Sequence, residues 1–274
     1  MSIKDILVHV DIDSGNKNRL QTAAELARVC ESHLTGLYII PNLIIPMYAE
    51  VQIPADVIEM QENAAKERSE QAETEFKTIT EQVGCQAQWH CVRGYAERQL
   101  LLYARYTDLV IMGQAEETGF MSSQSDLDDQ LVLGAGRPVM MIPYIGVKST
   151  LGKNVMVAWN GSRESVRAVH DALPILQSAD QVDVVAVNPG AGEGDIPTAD
   201  ICLHLARHGV KAQASQTVAK DLEVGDVLLS RAADRGIDLI VMGAYGHSRL
   251  RETVLGGATR HLLEHMTVPV MLSH

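Results

Sequence analysis

Along this chain the apolar residues come either in short strand-length runs or at every third and fourth position through longer polar stretches. Ile6 to Val10 forms the first run and ends at Asp11, after which Leu20, Ala23, Ala24, Leu26, Ala27 and Cys30 keep helical spacing. The run LTGLYII then reads as a strand, and Ala55 to Val83 as a long charged helix with one weakly apolar side made of Val57, Met60, Ala64, Ala65 and Ala72. Strand QAQWHCV, a helix from Glu97 to Tyr106 and strand DLVIMG follow before Gly113. Between the second strand and the long helix, Pro41 to Pro54 holds three prolines, so it cannot be a regular helix. Its Leu43, Ile44, Ile45, Met47, Tyr48 and Val51 are unusually apolar for a connection, which makes it a contact between two whole chains or a cover over its own half.

The whole order then returns. KDILVHVD from Lys4 is echoed by KNVMVAWN from Lys153, LTGLYII from Leu34 by VDVVAVN from Val182, TDLVIMG from Thr107 by IDLIVMG from Ile237, and RPVMMIPY from Arg137 by VPVMLSH from Val268. Echoes that keep both order and spacing imply a tandem repeat of one domain. The division falls at residues 1–146 and 147–274, with Gly146 to Gly152 as linker. Strands alternating with helices predict an α/β fold in which each half is an open parallel sheet covered on both faces. Ligands of such sheets bind beyond the carboxyl ends of the strands, where strand order reverses. Asp11, Asn160 and the stretch from Met242 to Leu263 stand at such ends.

That last stretch is rich in glycine. Gly243, two residues, Gly246, nine residues and then Gly256-Gly257 let the backbone approach a ligand twice, once leaving a strand and once entering a helix from about Ala258 to His265. The helix start offers unpaired N–H groups and the positive end of a dipole, which suits an anion. His247, Arg249 and Arg251 add positive charge between the glycines. Neither the dinucleotide fingerprint nor the Walker loop is present.

The spacing does resemble the nucleotide loop of the universal stress protein family, in which two glycines three apart and a later glycine with Ser or Thr wrap the ribose and phosphates of ATP. Here Gly257 stands at the hydroxyl position, and Thr259 keeps a hydroxyl close by. The resemblance covers both halves. It implies five strands per half in a Rossmann-like, adenine-nucleotide alpha-hydrolase-like fold, with the two halves paired through their last strands as an internal pseudo-dimer. It also implies that Asn160 meets adenine in place of the usual Asp, Val187 touches the base, and Met242 and Gly243 contact ribose. Gly246, His247, Arg249, Gly256, Gly257, Ala258 and Thr259 are then the phosphate-side residues. The implied ligand is ATP or another adenine nucleotide such as AMP, with or without Mg²⁺.

Composition narrows the rest. A net charge of −12 disfavours nonspecific nucleic-acid binding, and no apolar run approaches the length of a membrane span. The N-terminus carries no signal-peptide pattern, and Cys30, Cys85, Cys91 and Cys202 lack CxxC spacing, as reduced cytoplasmic thiols would. The first half lacks the Gly-x-x-Gly turn after Gly113 and presents Glu116, Glu117, Asp126, Asp128 and Asp129, carboxylates that repel a triphosphate and read as a solvated face rather than a cation cluster. One nucleotide per chain is therefore expected.

Other patterns are weaker. HLLEH, His261 to His265, matches an inverted zinc-peptidase motif but lies in the helix that supports the loop. His204 and His208 share a helix face, as any residues four apart do. Ser162, His170 and Asp171 lack a nucleophile elbow, and Ser162 reads better as a helix N-cap. No general base, nucleophile or Walker-type lysine is evident, so the expected role is a cytoplasmic stress-response binding module with at most slow ATP hydrolysis. The rival readings are an enzyme in which His247 or Arg249 stabilises transferred phosphate, and a ligand-poor interaction scaffold.

Overall fold

The computed structural model describes residues 2–42, 55–114, 122–147, 151–188, 197–218, 222–244 and 257–274. The first half runs β1 (Asp5–Val10), α1 (Asn16–Cys30), β2 (His33–Ile40), α2 (Ala55–Val83), β3 (Gln86–Arg93), α3 (Ala96–Ala104), β4 (Leu109–Gly113), α4 (Ser122–Gly134) and β5 (Val139–Ile142). The second half repeats this order as β6 (Asn154–Ala158), α5 (Arg163–Ser178), β7 (Gln181–Val187), α6 (Pro197–Arg207), β8 (Ala212–Thr217), α7 (Val224–Arg235), β9 (Leu239–Gly243), α8 (Gly257–His265) and β10 (Val270–Ser273).

All the strands join one ten-stranded sheet in the order β3-β2-β1-β4-β5-β10-β9-β6-β7-β8. Within each half every pairing is parallel, as β-α-β connections require. The halves meet where β5 and β10 pair antiparallel, Val139 opposite Leu272, Met140 opposite Met271 and Met141 opposite Val270. Two domains joined last strand to last strand, the arrangement that the resemblance implies, are thus continuous across a single sheet.

Because the inner strands are covered on both faces, they read as unbroken apolar runs: Ile6, Leu7 and Val8 are all fully buried. Alternation still sorts them. Ile6, Val8 and Ile111 face a core with α1, α2, α5 and α6, whereas Leu7, Val110 and Met112 face one with α3, α4, α7 and α8. The outer strands have no fully buried residue and mix half-buried with exposed positions, as in QAQWHCV of β3. Met140, Met141, Met156, Met242 and Met271 are buried core residues.

The repeat extends to single hydrogen bonds. At the amino ends of the strands, Asp108 accepts from the Lys4 and Asp5 amides at 2.8 and 3.1 Å. Asp238 does the same for Gly152, Lys153 and Asn154 at 3.0, 2.9 and 3.2 Å. Among the described residues no helix is long and apolar enough to cross a membrane. The apolar stretch from Leu43 to Pro54 lies outside the described residues.

Candidate functional site

In each half the chain lays strands outward in one direction and then returns to the other side of the first strand. The order β3-β2-β1-β4 places one reversal between β1 and β4, and β9-β6-β7-β8 places its twin between β6 and β9. At these points the loops after neighbouring strands diverge and leave a crevice beyond their carboxyl ends. The two crevices differ in what fills them.

In the second half, Ala158 of β6 pairs with Met242 of β9, so the chain beyond them brings Asn160 and Gly243 to the two sides of the crevice. Asn160 is exposed, and its Oδ1 accepts from the Ser162 amide at 3.0 Å, an Asx turn that leads the chain into α5. Ser162 is the N-cap of α5, its Oγ accepting from the Ser165 amide at 3.2 Å. Val187 ends β7 half-buried, and Met242 is 7% exposed.

Gly243 is glycine for a packing reason. A Cβ there would run into the backbone of Glu164 and Ser165. The first turn of α5 therefore rests directly on β9, which holds the Asn160 turn close to the strand end. Gly257, by contrast, is exposed at the start of α8, and a Cβ there would meet no atom of the described residues within 4 Å. Ala258 is half-buried and Thr259 is 4% exposed, so of the three residues at this helix start Gly257 is the open one. Gly246, His247, Arg249 and Gly256 lie outside the described residues.

The first half has the same crevice, and a side chain occupies it. Arg19 of α1 is 1% exposed. Its Nη2 donates to Asp11 at 2.6 Å and to Asn16 at 3.0 Å, and its Nη1 to Asp13 at 3.2 Å. The guanidinium lies so close to the β4 end that a Cβ on Gly113 would collide with Nη1. Asp11 is the counterpart of Asn160, and it makes the equivalent turn by accepting from the Asp13 amide at 3.1 Å. Its carboxylate is thus engaged by an internal cation. Arg19 stands fifteen residues after Lys4, and the residue fifteen after Lys153 is Ala168, which is buried and has no such reach.

The electrostatics around Arg19 are those of a dry site. Burial, followed by the charge of Arg19, pushes the His9 imidazole down to about 3, so it is neutral. Burial raises the Asp13 carboxyl, with Arg19 opposing. Asp128 of α4 is 6% exposed, and burial first and Asp129 second raise it well above the carboxylate range. This corrects the expectation of a solvated acidic face, since Asp128 belongs to the interior. Glu116 and Glu117 lie outside the described residues, as does the side chain of Asp126. Neither Arg19 nor Asp128 betrays its burial in sequence. The available signal is Asp-x-Asp at a strand end followed by Arg on the inward face of the next helix.

The histidine motifs are engaged locally. His261 Nε2 is 2.7 Å from Asp226, and His265 Nδ1 is 2.9 Å from the His261 carbonyl. His204 packs between His170 and His208, with ring centroids 5.3 and 4.7 Å apart. Among the described residues no three His, Cys, Asp or Glu side chains are grouped to hold a metal ion.

Comparison with known proteins agrees with this architecture. The family model described as the universal stress protein family matches twice, over residues 2–143 and 152–274. The universal stress protein Slr1230 of Synechocystis sp. is 31% identical over 93 residues, 27% of this chain and 32% of that protein. The chain therefore spans about a third of the length of that curated relative. A universal stress protein of Archaeoglobus fulgidus superposes with a TM-score of 0.76 at 16% identity, covering 99% of this chain and 96% of that one. The functionally unknown protein PA1789 of Pseudomonas aeruginosa superposes at 0.61 with 14% identity, covering 99% and 92%. At such identities the likeness is one of fold.

Proposed function

This chain belongs to the universal stress protein family, with one copy of the domain in each half, and from that premise we propose that its second half alone binds an adenine nucleotide, ATP or AMP. The site is the crevice between β6 and β9. The observation that carries the proposal is the contrast at one helix position: the buried guanidinium of Arg19 fills the crevice of the first half, whereas Ala168 at the matching position has no side chain that could reach into that of the second.

In this reading the Asn160 carboxamide meets the adenine amino group, and Val187 lies against the base. The backbone at Met242 and Gly243 takes the ribose. The loop of Gly246, His247, Arg249 and Gly256 folds around the phosphates, and the open start of α8 at Gly257, Ala258 and Thr259 supplies amides to them. Mg²⁺ accompanies the triphosphate when ATP is the ligand. The protein senses or sequesters nucleotide instead of turning it over, and it does so in the cytoplasm, a setting that suits its four unpaired cysteines.

Calorimetric titration with ATP tests the site. Gly246→Val and Gly256→Val should each abolish binding while circular dichroism stays unchanged, because a branched Cβ blocks backbone approach to phosphate. Unchanged affinity in both variants would remove the loop from the site. Mass spectrometry of small molecules released from freshly purified protein identifies which nucleotide is carried.

A further inference from the structure

Beyond the carboxyl ends of β2 and β3, on the side of α3, the first half carries a cavity of about 540 Å³. Among the described residues its lining comes from the first half, includes Arg93, Arg98 and Arg105, and contains no carboxylate. In a chain of net charge −12, three guanidiniums around one hollow are a local reversal of sign. Arg93 has a partner, Glu62 at 3.5 Å, with both side chains about half exposed, so the pair is weak. Arg98 and Arg105 are exposed and have no ion-pair partner among the described residues.

Helical spacing explains why these groups share one hollow. Arg98, Leu101 and Leu102 fall on one face of α3, and Arg105, the C-cap that follows it with helical dihedrals, continues that face at i+7. Seven residues at helical rise, the last of them the C-cap, separate the two arginines by roughly 10 Å along the axis, a gap that two long arginine arms can bridge onto one extended ligand. Leu102, 46% exposed, and Tyr95, 55% exposed, supply an apolar patch between and beside the charges. The one acid of the helix's first turn is directed elsewhere: Glu97 accepts from the Gln130 amide of α4 at 2.8 Å once that amide is oriented to satisfy both groups.

We propose that this cavity binds a small extended polyanion carrying two or more phosphate groups. Planar guanidinium forks match phosphate oxygens two at a time, and three of them concentrate more positive charge than one carboxylate needs. The occupant is a small molecule because the surrounding protein is acidic and repels a long nucleic acid, while the site is a concavity on one helix and not a basic stripe. The site is separate from the crevice between β6 and β9, and it gives the first half a ligand of its own.

Inorganic tripolyphosphate is the probe. It is titrated calorimetrically into the full chain carrying Gly246→Val, so that the glycine loop of the second half does not contribute. One equivalent should bind, and Arg98→Gln together with Arg105→Gln should weaken it about tenfold or more, with circular dichroism unchanged because both side chains are at the surface. Any smaller effect of the arginine pair, or no binding of about 1 mM probe to the Gly246→Val chain, overturns the proposal. If tripolyphosphate binds wild type and is lost in Gly246→Val alone, the anion belongs to the glycine loop, and the proposal fails while the nucleotide reading stands.

Discussion

Arg19 shows how one side chain can fill a crevice that its repeat leaves to other residues. A fully buried guanidinium is tolerable only because Asp11, Asp13 and Asn16 surround it at 2.6 to 3.2 Å. Arg19→Ala strips the cation from the partly buried carboxylates of Asp11 and Asp13, so we expect a loss of about 3 kcal/mol, the low end for a buried ion pair, read from the shift of the urea midpoint. His9 supplies a pH signature. Its imidazole stays neutral in the folded protein down to about 3, whereas in the unfolded chain it takes a proton below its ordinary 6.5. The unfolded state then binds more protons, so His9 lowers stability as pH falls from 6.5 towards 3 and contributes no such loss above 6.5. Stability measured across that window should decline less steeply in His9→Asn than in wild type, and parallel curves would refute the assignment. Neither residue was legible in the sequence as buried: NKNRL reads as a polar helix start, and Arg is seldom fully interior without partners that only the folded turn at Asp11 and Asp13 provides.

At the scale of elements, the sequence was more informative, because local rules and tertiary packing agree there. The repeated strand runs, the long helix at Ala55–Val83 and the Ser162 cap were all readable from periodicity and capping chemistry. Ser162→Ala removes the bond to the Ser165 amide and should cost about 1 kcal/mol, visible as a lowered urea midpoint at unchanged slope. The role of Gly243 was only half legible. Its place in a glycine spacing suggested approach to a ligand, while the structure shows α5 lying on β9 with no room for a Cβ. Gly243→Ala should therefore lower stability by about 1–3 kcal/mol even with no nucleotide present. A purely ligand-related effect, with the midpoint of the empty protein unchanged, would contradict the packing argument.

For the whole molecule, two copies of one fold carry unequal crevices in one sheet. Calorimetry should find a single ATP-competent site per chain, because Arg19 already holds the Asp11 carboxylate and abuts Gly113 in the other half. A measured stoichiometry of two would mean that the Arg19 cluster opens. The tandem order was evident in the echoes from Lys4 and Lys153, but their union across β5 and β10 came from likeness to a family. Four-residue strands, VMMI and VMLS, carry no mark of which partner they seek.

The antiparallel seam between β5 and β10 has a further consequence once the chain is seen as continuous through residues 143–153. A linker that short holds the two halves at a high effective concentration, on the order of millimolar, so their union does not weaken on dilution as it would between separate subunits. Each molecule is then guaranteed one copy of each half, never two of the same kind. Under that guarantee a substitution such as Arg19 in one copy never leaves a molecule without the other copy's crevice.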